Sequence, residues 1–127
     1  MEVNHCIRCA APMEDRSIDG VARRACAARC GFVHWDNPVP IVAAVVQWGD
    51  QFVLARNSAW PAGMFSVISG FLERGEAPGA TVARETREEL GLETSASQFI
   101  DHYVVPDANL LMIGFAVKAC GSLRIGD

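Results

Sequence analysis

No apolar run in this 127-residue chain approaches the ~20 residues that a membrane-spanning helix needs, and the longest, Pro38 to Val46, stops far short. No basic stretch leading into an apolar one opens the sequence, so no secretory signal is expected and the cytoplasm is the expected location. Excess positive charge is missing as well. The formal net charge is −4 and the pI is about 5.3, and lysine occurs once, at Lys118, against ten arginines. That arginine bias carries no functional reading. Nucleic-acid binders are usually basic, so nucleic acid is not expected as the main partner. An acidic chain that handles phosphates needs a metal ion or a few placed arginines. Internal repeats and low-complexity tracts are also absent.

What remains is a globular composition, half apolar and a fifth charged. The length allows one domain, or a small domain with a short added module. The sequence divides near Asp36–Pro40. Before that point cysteine and arginine crowd together and apolar runs are short. After it, strand and helix signals alternate, and Asn37-Pro38 with Pro40 mark the connector. A module over residues 1–36 and a domain over residues 37–127 are therefore expected.

Four of the five cysteines lie in the module, spaced Cys6-x2-Cys9, sixteen residues, then Cys26-x3-Cys30. In a chain without a secretory signal this favours a metal over disulfides. Two pairs with such a gap match a four-cysteine zinc ribbon, with residues 10–25 forming a hairpin between two knuckles. The second pair is one residue longer than usual, and His5 or His34 could replace one thiolate. Four protein ligands leave no position for water, so the expected zinc is structural. About 36 residues bury too little surface to fold without it. The fifth, Cys120, follows an apolar strand-like run and is expected to be a buried or half-buried structural thiol.

In the domain, β-branched residues over Ile41–Gln47 read as a buried strand, and Trp48-Gly49-Asp50 as a tight turn into a partner strand, Gln51–Arg56. A loop over Asn57–Gly63 leads to a short strand, Met64–Ser69. Gly70–Gly79 reads as a loop and Ala80–Leu90 as a helix, with Val82, Thr86 and Leu90 four residues apart and Gly91 as its stop. Gln98–Val105 and Leu110–Ala119 read as two further strands. The order β-β-β-α-β-β is a mixed α/β or α+β pattern.

The informative residues are Glu85, Glu88 and Glu89. At about 100° per residue, positions i, i+3 and i+4 share one helix face. Three like charges there repel. The arrangement suits hard divalent cations such as Mg²⁺ or Mn²⁺, which prefer oxygen ligands, clamp a pyrophosphate and activate water. The competing reading is a solvated acidic face, with Arg84 paired to Glu88 and Arg87 as another counter-charge. The glycine-rich loop favours the metal: Gly70 lets the backbone approach closely and offers its carbonyl, and Glu76 orients the loop or acts as a catalytic carboxylate.

The segment Gly70-x5-Glu76-x7-Arg84-Glu85-Thr86-x-Glu88-Glu89-x-Gly91-Leu92 resembles the Nudix box, Gly-x5-Glu-x7-Arg-Glu-U-x-Glu-Glu-x-Gly-U with U aliphatic. Thr86 is its one departure, at a core-facing position. The cysteine ribbon, the Cys30–Pro38 segment and the Ile-Val-Ala-Ala-Val-Val strand extend the resemblance to zinc-ribbon Nudix hydrolases, a group that includes the NADH pyrophosphatases and shorter relatives. The resemblance implies a Nudix α/β/α sandwich on a mixed sheet, and hydrolysis of a nucleoside diphosphate linked to another moiety. By position, Glu85, Glu88 and Glu89 would bind Mg²⁺ or Mn²⁺ with the Gly70 carbonyl. One of these glutamates, or a water, would supply the base. Glu76 and Arg84 would hold loop and helix together by ion pairing.

NADH pyrophosphatases carry Ser-Gln-Pro-Trp-Pro-Phe-Pro-x-Ser after the box; the equivalent region here, His102 to Met112, keeps only a proline and the Leu-Met strand. ADP-ribose and FAD therefore stand beside NAD(H) as expected substrates. The chain ends soon after its last expected strand, where relatives continue with another strand and a helix. A fragment, or a sheet completed by a partner such as a second copy in a homodimer, is therefore expected. Substrate contacts are expected from Arg56 and Trp60, with Phe71, Phe65 and Tyr103 as possible stacking rings and Asp107 on a loop. The rival classes are a non-catalytic nucleotide- or partner-binding module and a house-cleaning nucleoside triphosphatase.

Overall fold

The computed structural model describes residues 2–124. Contacts within the chain divide it into two compact units, Met1–Asn37 and Pro38–Asp127.

The first unit is a three-stranded antiparallel sheet, β1 (Met13–Ile18), β2 (Val21–Cys26) and β3 (Val33–His34), in that order. Its hairpin turns on Asp19-Gly20, both at positive φ (50° and 81°). A two-residue loop of this kind matches the twist of its strands, and Asp-Gly is a preferred pair for it. β3 has no counterpart among the expected strands, since two residues carry no periodicity. Little is buried here: Cys6, Met13, Ala25 and Cys26, with Val3, Ala11 and Phe32 packed against the cysteines and Met13. The Arg23 guanidinium lies 5.6 Å from the centre of the Trp35 ring and donates to the Trp35 carbonyl at 2.7 Å.

The second unit is a mixed five-stranded sheet with one helix. Its strands are β4 (Val39–Trp48), β5 (Gln51–Val53), β6 (Ile68–Phe71), β7 (Glu93–Val105) and β8 (Leu110–Cys120), and α1 (Pro78–Leu90) stands between β6 and β7. The strand order is β5-β4-β8-β7, with β6 also on β4. β4 runs parallel to β8 and antiparallel to β5 and β6. The β-β-β-α-β-β order is therefore as read from the sequence.

Alternation in the strands sends one set of side chains toward α1. Val42, Ala44 and Val46 of β4, Phe115, Val117 and Ala119 of β8, and Ile68 of β6 close a core with Val82, Leu90 and Leu92. Ile68 and Leu92 are the largest fully buried side chains, each stabilising by about 1.5–3 kcal/mol relative to exposure. The opposite face carries exposed Val45, Phe52, Phe71 and Tyr103. The described residues thus supply one helical layer on the sheet.

Several boundaries differ from the sequence reading. α1 begins at Pro78, because proline fits the first helical turn, where its missing N–H costs nothing. β6 takes in Gly70 and Phe71, which had been expected in the loop. The chain before it pairs only at the isolated Ala55–Ser66 bridge, so β5 stops at Val53 and Met64 lies outside a strand. β7 starts at Glu93 rather than Gln98, and register shifts between Thr94 and Ala96 and between Phe99 and Asp101 blur its alternation. Cys120 is exposed, not buried or half-buried: Ala119 takes the inward position at the end of β8 and its neighbour points outward.

Candidate active site

Thr81, Val82, Thr86 and Leu90 form the buried stripe of α1, and Thr86 is fully buried as its place in the pattern required. This orientation leaves Glu85, Glu88 and Glu89 beside the stripe rather than in it. Gly91 ends the helix at φ 69°, its N–H donating to the Arg87 carbonyl at 2.9 Å. β6 passes so close to α1 that a Cβ on Gly70 would overlap the Glu85 carboxylate. Glycine is therefore what lets Glu85 lie against the β6 backbone. Ile41, Ser69, Gly70, Phe71, Glu73 and Glu85 line an open cavity of about 330 Å³ at this point.

Arg84 ties the loop to the helix. Its Nε and Nη2 donate to the two Glu76 oxygens at 2.8 and 2.9 Å, a fork matched to a carboxylate. Nη1 reaches Glu85 Oε1 at 2.9 Å and Glu88 Oε2 at 3.2 Å, and Nη2 also donates to the Phe71 carbonyl at 3.0 Å. Glu76 accepts further bonds from the Thr81 hydroxyl at 2.7 Å and the Glu73 N–H at 3.1 Å. The Arg84 guanidinium, then the Thr81 hydroxyl, hold the Glu76 carboxyl down at about 2, from an ordinary 4.5. Glu76 in turn raises the affinity of Arg84 for its proton.

A carboxylate depressed in the folded state stabilises fully above its unfolded value, and the stabilisation is lost as pH falls through its folded value. Thermal stability should therefore fall between about pH 4.5 and 2. Glu76→Gln should be less stable than wild type at pH 6, with the difference closing toward pH 2. Melting temperatures of both proteins across that range check this, and parallel curves would refute it.

Glu89 is in the opposite situation. It is half-buried, and no hydrogen bond or ion pair reaches it among the described residues. Burial first, then the charges of Glu85 and Glu88, push its carboxyl up to about 7.

In the first unit, the four cysteine sulfurs all lie within 4.8 Å of one another, with Cys6–Cys30 and Cys9–Cys26 each at 3.5 Å. These distances are far too long for a disulfide, ~2.05 Å. They are close to the ~3.8 Å edge of a tetrahedron built with Zn–S of 2.3 Å. The Arg8 N–H points at Cys6 Sγ at 3.4 Å, as a knuckle requires. The Cys30 backbone N–H leads in holding the Cys26 thiol down at about 6, while its hydrogen-bonded neighbour Cys9 is pushed up to about 12. His34 instead faces Asp36, 3.7 Å away, and His5 bridges to Pro12, so neither takes a thiolate's place.

The sequence-derived site residues thus separate. Gly70, Phe71 and Glu85 meet at the cavity, and Glu76, Arg84 and Glu88 join Glu85 in one ion-pair network. Arg56 and Trp60 sit on the chain between β5 and β6, and Asp107 sits in the short 3-10 turn Pro106–Ala108; none of the three lines the cavity. Phe65 and Tyr103 also lie outside its lining. Ile41, Ser69, Glu73 and Thr81 were not singled out from the sequence. Ile41 and Ser69 become visible only through the register of β4 with β6, which pairs Ile41 with Phe71 and Ala43 with Ser69. The signal for Thr81 was a polar residue on the apolar stripe of a helix.

Comparison with known proteins agrees with this geometry. The NUDIX domain matches residues 37–123. The "NAD-capped RNA hydrolase NudC" of Stutzerimonas stutzeri is 34% identical over 116 residues, 91% of this chain and 41% of that protein. The human mitochondrial "NAD(P)H pyrophosphatase NUDT13" is 30% identical over 106 residues, 82% of this chain and 30% of that protein. The chain thus spans about two fifths or less of the length of these curated relatives. A Nudix hydrolase from Nitrosomonas europaea superposes on 98% of this chain and 72% of its own, with a TM-score of 0.78 at 24% identity, which speaks for the fold. On the match across most of its second unit, and on the glycine, glutamates and arginine that the fold brings together there, the chain belongs to the Nudix family.

Proposed function

We propose that this chain is a Mg²⁺- or Mn²⁺-dependent pyrophosphohydrolase. Its substrate is a nucleoside diphosphate linked to another moiety, of the ADP-ribose, FAD or NAD(H) class. Its products are AMP and the phosphorylated remainder. The observation that carries this reading is the placement of Glu85, against Gly70 and at the wall of an open cavity, on the helix face it shares with Glu88 and Glu89. The printed names of the NudC and NUDT13 relatives support the substrate class.

The donor set fits a hard divalent cation. It consists of carboxylates on one helix face, one of them half-buried without a counter-charge and resisting ionisation, and one of them, Glu85, against Gly70 at the cavity wall. Glu85, Glu88, Glu89 and the Gly70 carbonyl would hold the ion. Bound there, it would neutralise diphosphate charge and lower the pKa of water. The chain's own part is positioning. Arg84 holds Glu85 and Glu88 in place from behind, and Glu76 fixes Arg84. A box carboxylate takes a proton from the attacking water as its oxygen bonds to phosphorus. The anhydride P–O bond breaks, and the second phosphate leaves with the bridging oxygen.

We assign residues 1–36 to a structural zinc ribbon and 37–127 to the hydrolase domain. A reduced four-thiol site suits a cytoplasmic protein. AMP release with Mg²⁺ or Mn²⁺ over NADH, NAD⁺, ADP-ribose, FAD, dGTP and NAD-capped RNA tests the proposal. Turnover of a diphosphate-linked nucleotide is expected. Turnover of dGTP alone would point to nucleoside triphosphates, and binding without turnover to a non-catalytic module.

A further inference from the structure

Two threonines are fully buried in α1, Thr81 and Thr86. A buried hydroxyl needs a partner, and valine would fill either space without one. Thr86 satisfies itself locally, donating to the Val82 carbonyl at 2.7 Å. Thr81 does not. Its Oγ1 lies 3.2 Å from the Ala77 carbonyl but 2.7 Å from Glu76 Oε1. One hydroxyl donates one proton, and the shorter bond to a carboxylate is the stronger. Ala77, at the N-cap, offers no side-chain bond of its own. Thr81 and Arg84 are therefore the two side chains of α1 that hold Glu76 among the described residues.

We propose that Thr81 is a positioning residue. Its buried hydroxyl fixes the Glu76 carboxylate, Glu76 fixes the Arg84 fork, and Arg84 sets Glu85 and Glu88 for the divalent ion. The Glu73 N–H bonds the same Glu76 oxygen as Thr81 does, so the hydroxyl also anchors the loop that brings Glu73 to the cavity wall. The inference rests on the hydrolase reading above for the metal, but not for the hydrogen bond itself. Partners that orient a metal's ligands typically contribute 10–100-fold in affinity or activity.

The test compares Thr81→Val, Thr81→Ser and Thr86→Val in zinc-loaded protein. It reads Mn²⁺ affinity by electron paramagnetic resonance, amide exchange over residues 73–76, turnover against Mn²⁺ concentration, and melting temperature. Thr81→Val should weaken Mn²⁺ binding about tenfold, raise the Mn²⁺ needed for half-maximal turnover by the same factor, and speed exchange at Glu73. Thr81→Ser should keep all three within about twofold of wild type, since it restores the donor. Thr86→Val should also leave them there, since it removes an equally buried hydroxyl bonded only to its own helix. Thr81→Ala is the second variant, expected to match Thr81→Val in affinity if the latter folds poorly. Wild-type affinity and exchange in Thr81→Val, or an equal loss in Thr86→Val, would overturn the proposal alone. Wild-type protein with no Glu88-dependent Mn²⁺ binding would instead overturn the hydrolase reading, and the metal role of Thr81 with it.

Discussion

Glu89→Gln should abolish turnover and leave the protein at least as stable as wild type. Loss of a carboxylate proposed to hold the divalent ion should lower kcat/KM by about 100-fold or more. Stability should move the other way, because Glu89 makes no ion pair that the substitution would break and is forced to carry charge beside Glu85 and Glu88. A carboxyl raised in the folded state destabilises once it ionises. The folded protein binds the proton more tightly than the unfolded chain, so stability falls as pH rises from about 4.5 through about 7. Without metal, Glu89→Gln should therefore melt higher than wild type at pH 8 and match it near pH 4. Adding Mg²⁺ should raise the melting temperature of wild type only. Metal-free and metal-loaded melts at both pH values, beside steady-state rates, check this. Near-full activity would sink the assignment of Glu89 to the metal. A large loss of stability at pH 8 would show that its carboxylate supports the fold. Functional groups often sit at such a cost to stability.

The second large effect is expected in the first unit. Cys6→Ser should release zinc and unfold residues 2–37. Among the described residues, this unit buries only Cys6, Met13, Ala25 and Cys26 with three partial neighbours, too little to offset the entropy of ordering its strands. Binding energies of about 10–16 kcal/mol for structural zinc in small modules exceed the stability of many whole domains. Two of these four buried residues are themselves expected ligands, so metal and core are lost together. Zinc content by mass spectrometry and amide dispersion over the first unit would show it. Zinc-free protein with unchanged melting and dispersion would refute the role.

The candidate site was legible in the sequence to the extent that it depends on spacing along one helix. The i, i+3, i+4 glutamates and the buried stripe follow from a repeat of 3.6 residues, the glycine stop from the positive φ that Gly91 adopts, and the Cys-x2-Cys pair from the reach of a tight turn. Contacts made across strands were not legible. Ile41 and Ser69 reach the cavity wall only because β4 and β6 pair in one register. The loop–helix network was half legible. The pairing of Arg84 with Glu88 is local, whereas the Glu76–Arg84 pair, which the structure bears out, was expected only through the family resemblance, because it spans eight residues and depends on how the loop folds back. Thr81 was not singled out, because its hydroxyl partner, Glu76, lies outside the helix and shows in no helical repeat. Arg56, Trp60 and Asp107 were chosen for residue type on loops, and loop residues have no period that fixes their direction. In the fold, the boundaries of β6 and β7 moved for related reasons. A glycine inside a short strand reads as loop, and two register shifts hide the alternation of β7.

The proposed pyrophosphohydrolase activity depends on the carboxylates that α1 carries on one face, with Glu85 against Gly70. The most direct measurement is AMP release from ADP-ribose, FAD and NADH by folded, zinc-loaded protein with and without Mg²⁺, beside Glu88→Gln of equal melting temperature. Metal-dependent AMP release from at least one of these substrates is expected, lowered about 100-fold or more in the variant. Undiminished release by Glu88→Gln, or no release by wild type with any of the three, would contradict the proposal.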